Sequence, residues 1–158
     1  MTEITVRMAT AADAAAIIAL NGEIQALHAT AMPDFFKAAD PGAIAPTVAA
    51  MLSEPRNLVL LAEIDGRPVG YAYAEFIARG ETAHRYAADV VYLHHLSVAA
   101  GRRRRGAGAA LMSALRTRAA ERNVARITLD VWMFNRRARA FFKRQGFTPY
   151  SQHMWSLM

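Results

Sequence analysis

The sequence predicts a single α/β domain spanning residues 1–158, an α+β mixed sheet with helices packed on both faces. Three observations predict it. Strand-like and helix-like segments follow one another in the order β-α-α-β-β-β-α-β-α-β, which calls for a layered sheet-and-helix architecture. The central block from Val90 to Leu115, VVYLHHLSVAAGRRRRGAGAALMSAL, reads as strand, basic glycine-bearing turn and helix. Hydrophobic residues make up 54% of the 158 residues, so the chain is globular and large enough for one real core.

Each element has its own signal. Ile4 to Met8 alternates and is expected as the first strand. Thr10, with Asp13 three residues on, is expected to cap a helix whose stripe is Ile17, Leu20, Ile24 and Leu27 and which ends near His28. Pro33, Asp34, Pro41 and Gly42 break the next stretch into a loop carrying Phe35 and Phe36. A second helix is expected over about Ala45 to Ser53, with Pro46 in its first turn. Leu58 to Ile64 and Pro68 to Ile77 are strands around an Asp65-Gly66 hairpin turn. Arg79 to Ala88 is polar and reads as a long loop, and Val90 to Val98 as the central strand. The helix after the basic turn is expected to run to about Arg122, with Asn123 as a left-handed stop. Ala125 to Trp132 reads as a strand. Asn135 opens a last helix with Ala138, Phe141 and Phe142 on one face and Gly146 at its end, and Phe147 to Leu157 is expected to add a final strand or two.

Bulk composition narrows the function classes. The net charge is +6, and arginines cluster at Arg102 to Arg105 and at Arg136, Arg137 and Arg139. That excess suits a polyanionic ligand. Nucleic acid is the less favoured partner, because no aromatics are interleaved with the basic residues. No apolar run is long enough to cross a bilayer. The N-terminus lacks the pattern of a secretory signal. Cysteine is absent, which excludes disulfides, a thiolate nucleophile and cysteine metal sites, suits a cytoplasmic protein, and leaves no metal expected.

The turn carries the chemistry. A helix beginning after a glycine turn points its first free N–H groups and the positive end of its dipole into that turn. Phosphate is the common occupant of such a site. Gly106 and Gly108 are expected to let the ligand approach the backbone. Arg103-Arg104-Arg105-Gly106-Ala107-Gly108 fits the pattern Arg/Gln-x-x-Gly-x-Gly/Ala. Downstream stands Asn135-x-x-Ala138-x-x-Phe141-Phe142-x-x-x-Gly146-Phe147. In this order and at this separation the two blocks resemble the GNAT superfamily of N-acetyltransferases, the first as its acyl-CoA pyrophosphate loop and the second as its later helix closed by Gly-Phe.

The resemblance implies the GNAT acyl-CoA N-acyltransferase fold, with acetyl-CoA as cosubstrate. Backbone from Arg104 through Ala109 would cradle the diphosphate, with one or two of the loop arginines, Arg103, Arg104 and Arg105 included, pairing with phosphates. The strand segment Leu96-Ser97-Val98 would take the pantetheine arm, and an N–H near Leu96 would polarise the thioester. The family's parallel strands splay to admit that arm. Asn135, Ala138, Phe141 and Phe142 would border it, with Asn135 also a helix N-cap. The first two helices and their loop border the acceptor site in this family, so Phe35 and Phe36 are either core packing or an acceptor wall.

His94 and His95 occupy strand positions where some family members carry an acidic base. Alternation along a strand predicts that at most one faces the reaction centre. His28 is an outside candidate. The tyrosine that many members use to protonate the leaving thiolate is replaced by Phe142. The thiolate then leaves unaided, or Tyr150 reaches in, or the protein binds acyl-CoA without much chemistry. The expected reaction is direct transfer to a primary amine in a ternary complex, the acceptor a small molecule or, alternatively, a peptide terminus or lysine. A homodimer is compatible with this reading.

Overall fold

The computed structural model describes residues 3–158. Five strands, β1 (Ile4–Met8), β2 (Asn57–Ile64), β3 (Arg67–Ile77), β4 (Val90–Val98) and β5 (Ile127–Leu129), form one sheet in chain order. The first four pair antiparallel, and β4 and β5 pair parallel. Helices α1 (Ala14–Ala31) and α2 (Pro41–Ser53) cover one face; α3 (Ala107–Glu121) and α4 (Arg136–Arg144) cover the other. No helix among the described residues is long and apolar enough to cross a membrane.

The sheet separates two cores, and β2 feeds both. Leu58, Leu60, Ala62 and Ile64 pack beneath α3, while Val59 and Leu61 pack beneath α1 and α2. Burial on both faces explains its unbroken apolar run. Each fully buried leucine contributes about 1.5–3 kcal/mol. The expected hairpin is present, with Asp65 at φ 51° and Gly66 at φ 70°, both left-handed as the tight turn requires. Asn123 (φ 57°) and Gly146 (φ 85°) stop α3 and α4 as expected.

Several boundaries differ from the sequence reading. Ala11–Asp13 forms a 3-10 turn before α1, which runs three residues past His28. Helix α2 begins at Pro41, because the Asp40 carboxylate accepts the N–H groups of Gly42 (3.0 Å) and Ala43 (3.1 Å). Pro41 therefore takes the first-turn position and Pro46 lies inside the helix. β5 has three residues, not the eight expected from Ala125 to Trp132. Its pairing ends at Leu93↔Leu129, immediately before a bulge in β4. The final strand expected over Phe147 to Leu157 does not form. Phe147 still packs on the core, but a three-residue β5 offers too short a ladder to template a neighbour. Trp155 instead rests on Phe35 and Trp132, at centroid distances of 5.5 and 6.2 Å.

One ion-pair cluster ties β1 to the start of α1. Arg7 donates to both carboxylate oxygens of Asp13 (2.9 and 2.8 Å) and to Glu63 (2.8 Å), and the Thr10 N–H donates to Asp13 at 2.7 Å. The Arg7 hydrogen bonds, reinforced by Thr10, hold the Asp13 carboxyl well below the usual carboxylate range. A depressed folded-state value stabilises the protein above the ordinary carboxylate pKa and is lost as the pH falls through the folded value. Asp13→Asn is expected to cost about 1–3 kcal/mol at neutral pH. The difference from the parent protein in urea midpoint should shrink as the pH is lowered below about 4.

Candidate active site

The glycine turn at α3 has the backbone of an anion cradle. Arg104 (φ 60°) and Gly106 (φ 93°) are both left-handed, and Gly106 is the N-cap of α3. The first bond inside the helix runs from the Ala110 N–H to the Gly106 carbonyl, 2.9 Å. The N–H groups of Ala107, Gly108 and Ala109 have no acceptor among the described residues, and the helix dipole adds partial positive charge there. Arg103 is already engaged: its Nε donates to the Val98 carbonyl at 2.9 Å, and its Nη2 lies 4.0 Å from Glu23. Arg102, Arg104 and Arg105 are exposed.

The two glycines have different reasons. A Cβ on Gly106 would stand 3.3 Å from the Ile4 side chain, and its positive φ already disfavours any other residue. A Cβ on Gly108 would stand 3.2 Å from Phe141. Gly108 thus also serves the packing of α4 on α3, where a larger residue would press on the Phe141 ring. Asn135 caps α4, its side-chain oxygen accepting the Ala138 N–H at 3.0 Å. Phe141 and Phe142 pack against the α3-side core, with Phe142 edge-on to Phe147 at 5.5 Å.

Beside this loop the sheet opens. β5 accompanies β4 only over Val91–Leu93, so among the described residues His94 to Val98 has β3 on one side and no strand on the other. The side chains of that segment are anchored on both faces. Leu96 and Val98 join the α3-side core, and Ser97 Oγ donates to the Leu20 carbonyl of α1 at 3.0 Å. What remains open is the strand's backbone edge, apart from the Val98 carbonyl that accepts from Arg103.

The bulge in β4 overturns one expectation. Tyr73 pairs with His95 and Ala74 with Leu93, so His94 is an extra residue. The alternation slips by one there, and both histidines lie on the α1–α2 face. Tyr73 shows this directly, stacked on His94 at 4.6 Å and edge-on to His95 at 5.4 Å. The expectation that their side chains would point to opposite faces fails for this reason.

Their environments differ. His94 Nε2 lies 3.2 Å from a Glu75 carboxylate oxygen, and its ring is edge-on to Tyr92 at 4.7 Å. His95 is largely buried, with Nδ1 3.0 Å from the Tyr71 hydroxyl. Burial, followed by the nearby His94 and His28, pushes its pKa down to about 4. Below the pair opens a cleft of about 350 Å3 whose lining includes Asn21, Glu54, Tyr71, Tyr73, Glu75 and His95. Tyr71, Tyr73 and Glu75 were missed by motif reading. Their i, i+2, i+4 spacing on β3 is the signal that places them on one face.

The remaining candidates lie around this centre. Tyr150 is 77% exposed on the tail, near enough to Tyr92 to help raise the latter's pKa. Burial and the Asp130 carboxylate, which accepts its proton, are the larger causes and bring Tyr92 to about 12. His28 stacks on Phe36 at 4.9 Å and is edge-on to Phe134 at 5.7 Å; burial lowers its pKa. Phe35 and Phe36 join Trp132, at 5.4 and 5.0 Å, so they bridge the α1–α2 loop to the segment after β5.

A mixed sheet parted at its parallel pair, beside a glycine turn that caps a helix, defines the class: an acyl-CoA N-acyltransferase fold. The acetyltransferase (GNAT) family model matches residues 24–147, and the chain belongs to that family. It is 36% identical over 99 residues to uncharacterized N-acetyltransferases of Mycobacterium tuberculosis and Mycobacterium bovis, covering 63% of this chain and 58% of theirs. The chain thus spans less than two thirds of the length of these curated relatives. In structure it is similar to a tetramutant of the BH1408 protein of Bacillus halodurans (TM-score 0.92, 23% identity, 98% of this chain and 99% of that one). It is also similar to the aminoglycoside N-acetyltransferase AAC(6')-Iy in complex with CoA (TM-score 0.79, 15% identity, 100% and 96%). At those identities the structural likeness is one of fold.

Proposed function

We propose that this chain is an acetyl-CoA-dependent N-acetyltransferase that acetylates a primary amine of a small molecule by direct transfer in a ternary complex. The observation that carries the reading is a conjunction: free helix N–H groups at α3 stand beside a strand edge left open by the parting of β4 and β5. The CoA complex of AAC(6')-Iy, an enzyme named for a small-molecule amine, supports the cosubstrate and the acceptor class by fold analogy.

Acetyl-CoA, when bound, supplies the activated acyl group. The N–H groups of the Arg104–Ala109 turn hold the diphosphate, and the exposed Arg104 and Arg105 pair with its oxygens. The open edge at Leu96 to Val98 holds the arm as an added strand would. A Leu96 N–H donates to the acyl oxygen. His94 is the base: Glu75 accepts its Nε2–H, which leaves Nδ1 free to take the amine proton. The leaving thiolate departs without an acid, since a thiol's reference pKa is about 8.5 and Phe142 has no proton to give. Tyr150 is the phenol that could assist.

The test is steady-state release of free thiol from acetyl-CoA across a panel of primary amines. Amine-dependent release supports the reading. Thermal stabilisation by CoA with no release on any amine would instead make the chain an acyl-CoA-binding module, a reading that Phe142 favours.

A further inference from the structure

Three side chains from three elements form one hydrogen-bonded chain behind the cleft: Asn21 on α1, Tyr71 on β3 and His95 on β4. Asn21 Nδ2 donates to the Tyr71 oxygen at 3.1 Å, and Tyr71 stands 3.0 Å from His95 Nδ1. Tyr71 is fully buried, and Asn21 and His95 are the side-chain partners of its hydroxyl among the described residues. A phenol has one proton, and with Asn21 donating to its oxygen, that proton goes to Nδ1. Nδ1 is then an acceptor, and the ring's own hydrogen is on Nε2. Nε2 has no protein partner among the described residues, and Thr128 Oγ1 is the only sealed and unpartnered side-chain polar atom there. Nε2 therefore reaches solvent from a residue that lines the cleft.

We propose that Asn21 and Tyr71 are positioning residues that hold His95 as the Nε2–H tautomer, a fixed donor to an oxygen of the acceptor molecule, while His94 takes the proton. This deepens the acetyltransferase reading and rests on it for the acceptor. The two adjacent histidines then have divided work. His95 has its one lone pair committed to Tyr71 and cannot act as a base without breaking the chain. Its burial, with His94 and His28 nearby, keeps the ring neutral. The favoured acceptors are amines carrying a hydroxyl, carbonyl or carboxylate oxygen within reach of the nitrogen.

The chain's polarity can be reversed with a near-isosteric change. In Asn21→Asp the carboxylate accepts the Tyr71 proton, the phenol oxygen then accepts from His95 Nδ1–H, and Nε2 becomes an acceptor. Side-chain 15N spectra of the intact protein at neutral pH should show the Nε2–H pattern for His95 in the parent and the Nδ1–H pattern in Asn21→Asp. Tyr71→Phe should give a mixture, and if that variant does not fold, Asn21→Asp decides alone. In turnover, Asn21→Asp should lower kcat/KM on oxygen-bearing amines by about three- to tenfold more than on simple alkylamines, the range of one neutral hydrogen bond. An Nδ1–H pattern in the parent, or an unchanged pattern in Asn21→Asp, overturns the positioning role. An equal loss on both amine classes overturns the oxygen contact. The spectra need no turnover, so a protein that releases no thiol yet shows the expected tautomers would sink the acetyltransferase reading and leave the positioning intact.

Discussion

Replacing His94 with alanine is expected to lower kcat/KM for the acetylated amine by about 10²–10⁴-fold, the range of general acid–base help. The affinity for CoA should change little, because His94 is on the α1–α2 face and the proposed diphosphate cradle is at the start of α3. Stability should also change little. The His94 side chain is 30% exposed, and its contacts are a ring stack on Tyr73, an edge contact with Tyr92 and the hydrogen bond to Glu75. A primary amine is mostly protonated at neutral pH, so without a base only its small free fraction reacts. The alanine variant should therefore recover rate as the pH is raised, narrowing the gap. Glu75→Gln should act in the same direction with a smaller loss, since it weakens the orientation of the ring and leaves its lone pair. An unaltered rate and pH profile in His94→Ala would remove the histidine from the mechanism.

Gly106→Val is expected to abolish stabilisation by CoA, a fall in affinity of about a hundredfold or more, because several charge-assisted N–H contacts are lost together. The reason is conformational before it is steric. Gly106 sits at φ 93°, and a β-branched residue there costs about 1–3 kcal/mol. The added Cβ would also press on Ile4 at 3.3 Å. The chain relieves this by turning residue 106 out of the left-handed region, which rotates the amides at the start of α3 away from their common focus. Thermal shift with and without CoA checks this: the variant should melt somewhat lower than the parent and gain nothing from the ligand. A full ligand-induced shift in Gly106→Val would mean that the diphosphate is held elsewhere.

The scaffold was legible wherever a single residue dictates a local conformation. Asp65-Gly66, Asn123 and Gly146 all stand at positive φ where turns or helix stops were expected. The turn at the start of α3 was legible for the same reason, with Gly106 at φ 93° as the N-cap of the helix. Non-local geometry was not legible. Nothing in VVYLHHLSV marks which residue will be the extra one, because the bulge is set by how β4 registers against β3. The length of β5 depends on where β4 turns away from it. The tail has strand-forming residues but no edge long enough to pair with. Gly108 has a packing role that local sequence does not show, because its neighbour Phe141 is 33 positions away in sequence. Glu75, Tyr71 and Asn21 carry no motif; they become a site only when β3, β4 and α1 are laid together.

The odd residue in β4 seats two adjacent imidazoles on one side of the sheet without disturbing the strand that follows. Downstream of it, Leu96 and Val98 point toward α3 and Ser97 toward α1. Excising either histidine would remove the extra residue, restore strict alternation from Leu93 onward and leave those three pointing as they do, at the cost of one of the two imidazoles on the α1–α2 face. The packing of β4 therefore does not need the extra residue; what that residue adds is a second imidazole beside the first.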